Sequence, residues 1–338
     1  MKRACTVRRT VMSALFWAAS GASALATPIV NGDTEEGFPS VVALGAEFGT
    51  TTYSACSGNL ITPLVVLSAG HCGEGIPLDL VVSMGKAYFG TDVNDPDHSV
   101  GFADLVTHPD YEPLESSGTS QDLGANDIGI LVLAEEAPVA ATPIRFDEVT
   151  EKSIGIEMLS VGFGVTSAAG YGSGTKRSAV LTLDNLQEMF LISYSDTNKN
   201  DANICSGDSG GPQFVLEEDG TWVQWAVHSW GDQNCSYSSG STRTDLVGEW
   251  ILDQVEDVHG SRDLCLINGL YEDGVCDERC DEIDPDCIEH TGDTGAGGIF
   301  QSCGCAATSP RAGWAFGLLA FGALFRRRAH THKKPAHR

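Results

Sequence analysis

Short apolar runs, separated by segments rich in Gly, Ser, Asp and Pro, fill the chain from residue 29 to about residue 243. Examples are VVALGAEF, LVVLSA, LDLVVSMG, IGILVL, EMLSVGFG and WVQWAVHSW. Runs of strand length at this spacing are typical of an antiparallel barrel or sandwich. The pattern therefore predicts an all-β domain.

One helical pattern closes this region. Its apolar residues recur at three-to-four spacing, as Leu246, Val247, Trp250, Ile251, Val255 and Val258. This period predicts an amphipathic C-terminal helix, with Thr244 or Asp245 as its N-cap.

Both ends of the chain differ from this domain. Residues 1–26 have a basic start, a short apolar run and an Ala-Leu-Ala exit, which predict a secretory signal peptide. Beyond Gly260 come an acidic cysteine-rich module (261–289), a polar Gly-rich linker (290–302) and a C-terminal segment (303–338).

Charge and cysteine content narrow the expected partners and the compartment. The chain has 20 Lys and Arg against 46 Asp and Glu, a net charge of −26. Four of the basic residues lie in the signal peptide and seven follow Cys303. Residues 27–302 therefore contain nine basic residues and all 46 acidic residues, which gives a net charge of −37. Such a chain is repelled by nucleic acid and by anionic lipid, so neither is an expected partner. Eleven cysteines in an exported chain predict disulfides.

The string CSGDSGGP, residues 205–212, is the most informative chemical motif. A serine in a tight Gly-rich turn exposes its hydroxyl and offers neighbouring N–H groups to an oxyanion. Such a nucleophile needs a base, and the base needs a carboxylate that fixes its tautomer. His71 in LSAGHC and Asp127 in NDIGILVL supply both. Each residue alone fits a structural role, but the set of His, Asp and Ser in this order indicates a catalytic triad.

These motifs resemble the chymotrypsin/trypsin-like serine protease family over about residues 29–258. The resemblance rests on IVNGD, CSGNLITPLVVLSAGHC, THPDYEP, NDIGILVL, SVGFGVTS, CSGDSGGP and HSWGD, all in family order. It implies an all-β fold of two six-stranded antiparallel β-barrels with a C-terminal helix, over a protease domain of residues 29–260. It also implies the disulfides Cys56–Cys72 and Cys205–Cys235.

The resemblance further implies the role of each site residue. Ser209 would be the nucleophile, His71 the general base and then acid, and Asp127 the orienting carboxylate. The N–H groups of Gly207 and Ser209 would form the oxyanion hole. The segment Ser229, Trp230 and Gly231 would pair with the substrate backbone.

Primary specificity is expected to differ from that of trypsin. In this family, an Asp six residues before the nucleophile selects Lys or Arg, whereas this chain has Asn203 there. A neutral amide lacks the charge that favours a cation, so a neutral substrate side chain is expected. An Asp or Glu elsewhere in the pocket would restore basic specificity.

The resemblance also explains the IVNG string that follows Thr27 and Pro28. A freed Ile29 amine would turn inward and pair with Asp208, which orders the oxyanion turn. Thr27-Pro28 is therefore predicted to be a two-residue pro-segment of a zymogen. We hypothesise that a dipeptidyl peptidase that recognises a penultimate proline removes it. The alternative is a pseudoprotease that is never processed.

The acidic module combines four cysteines with a cluster of carboxylates. Four cysteines allow three pairings, and the sequence does not choose between them. Hard oxygen ligands suit Ca²⁺ better than zinc, and the module resembles Asp/Cys repeats of exported bacterial proteins. A disulfide-stapled acidic spacer is an equally good interpretation. The candidate calcium ligands are Asp273, Asp277, Asp284 and Asp286.

The C-terminal segment has Cys-Gly-Cys, the apolar run AGWAFGLLAFGALF and a cluster of three arginines. The run is too short to span a bilayer comfortably. The pattern resembles the C-terminal sorting signals of myxobacterial surface proteins, which implies tethering to the cell surface; a weak permanent anchor is the alternative. Membrane contact is expected only through this segment.

The sequence thus predicts a secreted, surface-tethered serine endopeptidase that acts on polypeptides and needs no cofactor for catalysis. The alternative is a catalytically silent protease-fold binding or adhesion protein on the cell surface.

Overall fold

The computed structural model describes residues 29–49, 51–113 and 125–287. The predicted signal peptide, the Thr27-Pro28 pro-segment, the linker and the C-terminal segment lie outside these residues. Within the described residues, no helix has the length and apolar character needed to cross a bilayer.

The described chain is mostly β-structure. Its strands are β1 (Asp33–Thr34), β2 (Val41–Phe48), β3 (Thr51–Thr62), β4 (Val65–Ser68), β5 (Gly85–Phe89), β6 (His98–Thr107), β7 (Gly129–Leu133), β8 (Glu157–Gly162), β9 (Arg177–Thr182), β10 (Asn185–Gln187), β11 (Phe190–Tyr194), β12 (Pro212–Leu216), β13 (Trp222–Gly231) and β14 (Ser238–Arg243). The helices are α1 (Leu78–Met84), α2 (Gly248–His259) and α3 (Leu264–Asn268).

Six strands close into the first barrel, in the order β2-β3-β4-β7-β6-β5. Apolar residues at alternate positions, such as Val42, Leu60 and Phe102, fill its interior, because successive side chains of a strand point to opposite faces. The remaining eight strands form one antiparallel sheet, β1-β9-β8-β12-β13-β14-β11-β10. The first predicted barrel is thus confirmed, whereas a second six-stranded barrel is not.

The predicted C-terminal helix is α2, which begins at Gly248, four residues after Thr244 and three after Asp245, the two expected caps. Thr244 Oγ1 donates instead to the carbonyls of Arg145 and Trp225, and Asp245 pairs with Arg243, so neither side chain is available to cap the helix. Gly260 ends α2 at a φ of 72°, the left-handed conformation that favours glycine.

The two sheets and α2 share one apolar core. Ile251 and Val255 of α2 pack against Val65 and Leu67 of the barrel and Val227 of the second sheet. This shared core fixes the position of the barrel loops relative to the C-terminal end of β13. The site described below lies between them.

We expect Ile251→Ala to lower the free energy of unfolding by about 2–5 kcal/mol, since Ile251 is fully buried and alanine leaves a cavity. Leu246→Ala, at a residue 47% exposed, is the control and should change stability by less than about 0.5 kcal/mol. Urea unfolding of both variants measures this. Equal losses would contradict the assignment of α2 to the shared core.

The acidic module packs onto the protease region. Leu264 and Ile267 of α3 extend the shared core, and Asn268 Nδ2 donates to the Ile61 carbonyl at 3.1 Å. Arg279 binds Asp219 of the β12–β13 turn at 2.6 Å. The disulfides Cys265–Cys280 and Cys276–Cys287 give the pairing that the sequence left open.

Candidate active site

His71 and Asp127 lie side by side because β4 and β7 pair, with Ser68 opposite Gly129. His71 Nδ1 and Asp127 Oδ2 are 2.8 Å apart, and the His71 backbone N–H donates to Oδ1 at 2.9 Å. Asp127 is buried, whereas the His71 side chain is 31% exposed. The carboxylate therefore holds the ring with its Nε2 edge available to a reactant.

Two further contacts hold the Asp127 side of this pair. Ser229 Oγ donates to Asp127 Oδ2 at 2.6 Å, and Thr242 Oγ1 donates to the Asp127 carbonyl at 3.0 Å. Both donors belong to the second sheet, so the carboxylate of the barrel is fixed from across the domain. Sequence analysis assigned Ser229 only to substrate binding and missed this contact.

The pKa of His71 reflects opposing effects. Burial disfavours the imidazolium, but the hydrogen bond that His71 makes to Asp127 and the negative charges of Asp127 and Glu74 outweigh burial. The pKa is therefore raised above its ordinary value of 6.5. A raised pKa suits a group that must accept a proton and hold it during a reaction.

Ser209 lies in a turn that only glycine-rich sequence can form. Gly207 and Gly210 have φ values of 93° and 81°, and a Cβ on Gly207 would lie 2.9 Å from Gly164 Cα. The Ser209 carbonyl accepts from the Ser57 N–H at 2.8 Å, while the Cys56–Cys72 disulfide runs alongside. The second expected disulfide, Cys205–Cys235, holds the other side of the turn.

The turn presents two N–H groups that suit an oxyanion. Among the hydrogen bonds of the described residues, neither the Gly207 nor the Ser209 N–H has an acceptor, whereas the neighbouring Asp208 and Gly210 N–H groups do. The same set contains no bond between Ser209 Oγ and His71 Nε2. Such catalytic hydrogen bonds are often long without substrate and tighten when it binds.

Ile29 and Asp208 both lie buried next to this turn. Ile29 is 1% exposed and packs against Ile204, and Val30 pairs with Asn203. The Asp208 carboxylate accepts from the N–H groups of Cys205 and Gly164 at 2.9 and 2.8 Å. Burial raises the pKa of Asp208 to about 7, against the lowering effect of these two bonds and of Arg177.

A pocket of about 170 Å³ opens beside Ser209. Its lining comprises Ile204, Cys205, Ser206, Ser229, Trp230, Gly231, Asp232, Gln233 and Cys235. Trp230 and Gly231 pair with β14 on one edge, and among the described residues no strand occupies their other edge. That edge is where an extended peptide could add as a strand.

Among the described residues that line this pocket, no free carboxylate takes the place of the Asp that residue 203 lacks. Asn203 is fully buried, and its Oδ1 accepts from the Ile204 N–H at 3.0 Å. Asp232 is the acidic residue of the lining, but its oxygens accept from the N–H groups of the 234–238 loop. Those bonds outweigh burial and lower the pKa of Asp232, so it stabilises the loop.

The four candidate calcium ligands of the acidic module bind local groups. Asp273 and Asp286 accept from the N–H groups of Val275 and Gly274, both at 2.8 Å, and Asp284 accepts from the Asp277 N–H. The Asp277 carboxylate accepts from Arg279 Nη2 at 3.0 Å. In the described part of the chain, the one group of three metal-ligating side chains is Cys56, His71 and Cys72, whose cysteines form a disulfide. Calcium binding stays a prediction.

Comparison with known proteins agrees with this geometry. Curated relatives include an inactive CLIP domain-containing serine protease A28 of Anopheles gambiae, 26% identical over 213 residues, which cover 56% of this chain and 53% of the relative. Mouse vitamin K-dependent protein C is 27% identical over 58% of this chain and 45% of its own. The lectizyme of Glossina austeni is 26% identical over 68% of this chain and 86% of its own.

The chain thus spans about half the length of the first two of these relatives. The sequence profile of the family described as Trypsin matches residues 29–251, which include His71, Asp127 and Ser209. The chain therefore belongs to the trypsin family of serine proteases.

Proposed function

We propose that this protein is a secreted serine endopeptidase, tethered to the cell surface, which hydrolyses peptide bonds through an acyl-enzyme on Ser209. The observation that carries the proposal is the buried Asp127 carboxylate that holds His71, next to a serine turn with two N–H groups without acceptors. The test is covalent labelling of Ser209 by an organophosphonate probe.

The geometry supports the following reaction. Ser209 Oγ attacks the scissile carbonyl and gives its proton to His71 Nε2, while Asp127 stabilises the imidazolium that forms. The Gly207 and Ser209 N–H groups bind the oxyanion. His71 then protonates the leaving amine, and the same steps with water release the acyl group. None of these steps requires a metal or an organic cofactor.

Activity should be controlled by the N-terminus of the protease domain. While Pro28 precedes it, the Ile29 nitrogen is an amide and cannot pair with the Asp208 carboxylate. The buried positions of both residues support a zymogen that trimming of Thr27-Pro28 activates. We further propose a dipeptidyl peptidase as the activator, because the pro-segment ends in proline.

Export and tethering rest on the predicted signal peptide and the C-terminal segment. Fractionation of the native cells tests both, with mass spectrometry of the N- and C-terminal peptides. Recovery of the protein in the cytoplasm with an intact residue 1–26 segment would contradict export.

A silent binding protein is the second candidate. It is favoured by the relative described as inactive and by the missing Ser209–His71 hydrogen bond in the described residues. The complete set of His71, Asp127 and Ser209 supports the enzyme instead, and the probe experiment separates the two.

We expect kcat/KM for peptide hydrolysis to fall as the pH drops, because only neutral His71 can accept the Ser209 proton. Since the pKa of His71 is raised, the midpoint should lie above pH 6.5. Glu74→Gln should move the midpoint downward, because the Glu74 charge contributes to the raised pKa. A flat profile between pH 5 and pH 8 would contradict the role of His71.

A further inference from the structure

Next to the pocket beside Ser209, the second sheet and the adjoining residue Asn203 carry buried polar side chains where an apolar interior is expected. Each is at most 3% exposed, and we call them the polar cluster: Ser193, Asn203, His228, Ser239 and Ser241.

The polar cluster borders the pocket lining at several points. Asn203 precedes Ile204 in the chain, and His228 precedes Ser229. Ser239 pairs with Gly231 on one side and with Ser193 on the other. In this structure Gly231 lies against Ile204, since a Cβ on Gly231 would be 3.2 Å from the Ile204 carbonyl oxygen. A substrate side chain therefore reaches the polar cluster only when these two segments separate to admit it.

His228 is the titratable residue of the polar cluster. It lies opposite Ser241 in the sheet, and its Nδ1 is 3.1 Å from Ser241 Oγ. When the serine hydroxyl donates to Nδ1, the ring proton is on Nε2, and Nε2 is buried without a partner among the described residues. The Nδ2 of Asn203 is buried without an acceptor in the same way.

In this tautomer the site has two buried N–H donors without acceptors, which is unfavourable in a folded protein unless a ligand satisfies them. An apolar substrate side chain would leave both without a partner. An amide side chain would bring two further N–H donors that need acceptors. A carboxylate brings acceptor sites only, so it fits this set of donors best.

We propose that the pocket selects an acidic residue as the P1 residue, the one whose carbonyl Ser209 attacks. The carboxylate accepts from His228 Nε2 and Asn203 Nδ2. This inference rests on the proposed peptidase function for its reaction, and it replaces the neutral P1 residue expected from Asn203 alone.

The polar cluster also contains its own source of positive charge. Burial lowers the pKa of His228 to about 3, so the ring is neutral while the pocket is empty. A carboxylate next to Nε2 favours the imidazolium and would raise that pKa. His228 can thus take up a proton with the substrate and neutralise its charge, which Asn203 or a serine cannot do.

The first test compares fluorogenic peptides that differ only at P1, which is Glu, Gln, Leu or Lys, cleaved by the chain that begins at Ile29. Rates are expressed per site labelled by an organophosphonate probe. We expect kcat/KM for Glu to exceed that for Gln by about tenfold or more. His228→Val should remove this ratio. His259→Gln, at a histidine bound to Thr62 away from the pocket, is the matched control and should preserve it.

The second test needs no catalysis. Calorimetry measures how the Ser209→Ala chain binds two acetylated tetrapeptides that differ only in a C-terminal Glu or Gln. Tighter binding of the Glu peptide by about tenfold supports the inference even if no site is labelled, in which case only the proposed peptidase function fails. Equal affinities, or a labelled enzyme that prefers Leu or Lys, would overturn the acidic pocket and leave the peptidase intact.

Discussion

Ser209→Ala in the chain that begins at Ile29 should lower peptide hydrolysis by about 10⁴- to 10⁶-fold, because no other group at this turn can form the acyl-enzyme. Folding should be preserved, since the contacts that hold the turn use the Ser209 carbonyl, which alanine retains. Circular dichroism and the urea midpoint check the fold, and active-site titration counts the competent sites.

Ser83→Ala is the matched control, because Ser83 is an exposed serine of α1 that donates only to the Leu80 carbonyl. It should keep both full labelling and full rate. If Ser209→Ala retains the rate of the parent chain, the activity comes from a contaminant or from another residue. If the parent chain is folded, begins at Ile29 and still takes no label, the silent binding protein is the correct alternative.

The residues of the candidate triad could be named from the sequence because each lies in a local motif. The LSAGHC, NDIGILVL and CSGDSGGP strings identify His71, Asp127 and Ser209 without any knowledge of which strands pair. The short apolar runs alone predicted an all-β domain, and the first barrel followed from the family resemblance that these motifs carry. Short sequence motifs and apolar runs are sufficient to predict such features.

Other features depend on pairings that no local pattern records. The Ser229–Asp127 bond joins residues 102 positions apart, and it forms where β13 has an irregular register between His228 and Trp230. The environment of His228 likewise depends on strand pairing. It is visible in the sequence as a titratable residue inside the apolar run WVQWAVHSW, but its burial against Ser241 is a property of the sheet.

The largest effect on stability should come from Asp208, and it should depend on processing. In the chain that begins at Ile29, we expect the free amine to pair with the Asp208 carboxylate, so that Asp208→Asn would leave that buried amine without a counter-charge. Loss of one partner of a buried ion pair costs about 3–5 kcal/mol. In the chain that retains Thr27-Pro28 there is no such amine, so the same substitution should cost less by about that amount.

The pKa of Asp208 also determines how its contribution to stability depends on pH. In the unprocessed chain the pKa of Asp208 is raised to about 7 by burial, so its contribution to stability is fully present below pH 3.8 and is lost as the pH rises through about 7. The expected ion pair in the processed chain would lower this pKa and remove that loss.

Urea unfolding of four proteins at pH 8, with and without Thr27-Pro28 and with Asp or Asn at 208, isolates the coupling between the Ile29 amine and Asp208. Asp33→Asn, at an exposed carboxylate of β1, is the control and should show no dependence on processing. If the effect of Asp208→Asn is the same in both chains, no ion pair forms and the zymogen switch is wrong. If it differs by about 3–5 kcal/mol, the energy is sufficient to order the Gly207–Ser209 turn, and activity should appear only in the processed protein with Asp208.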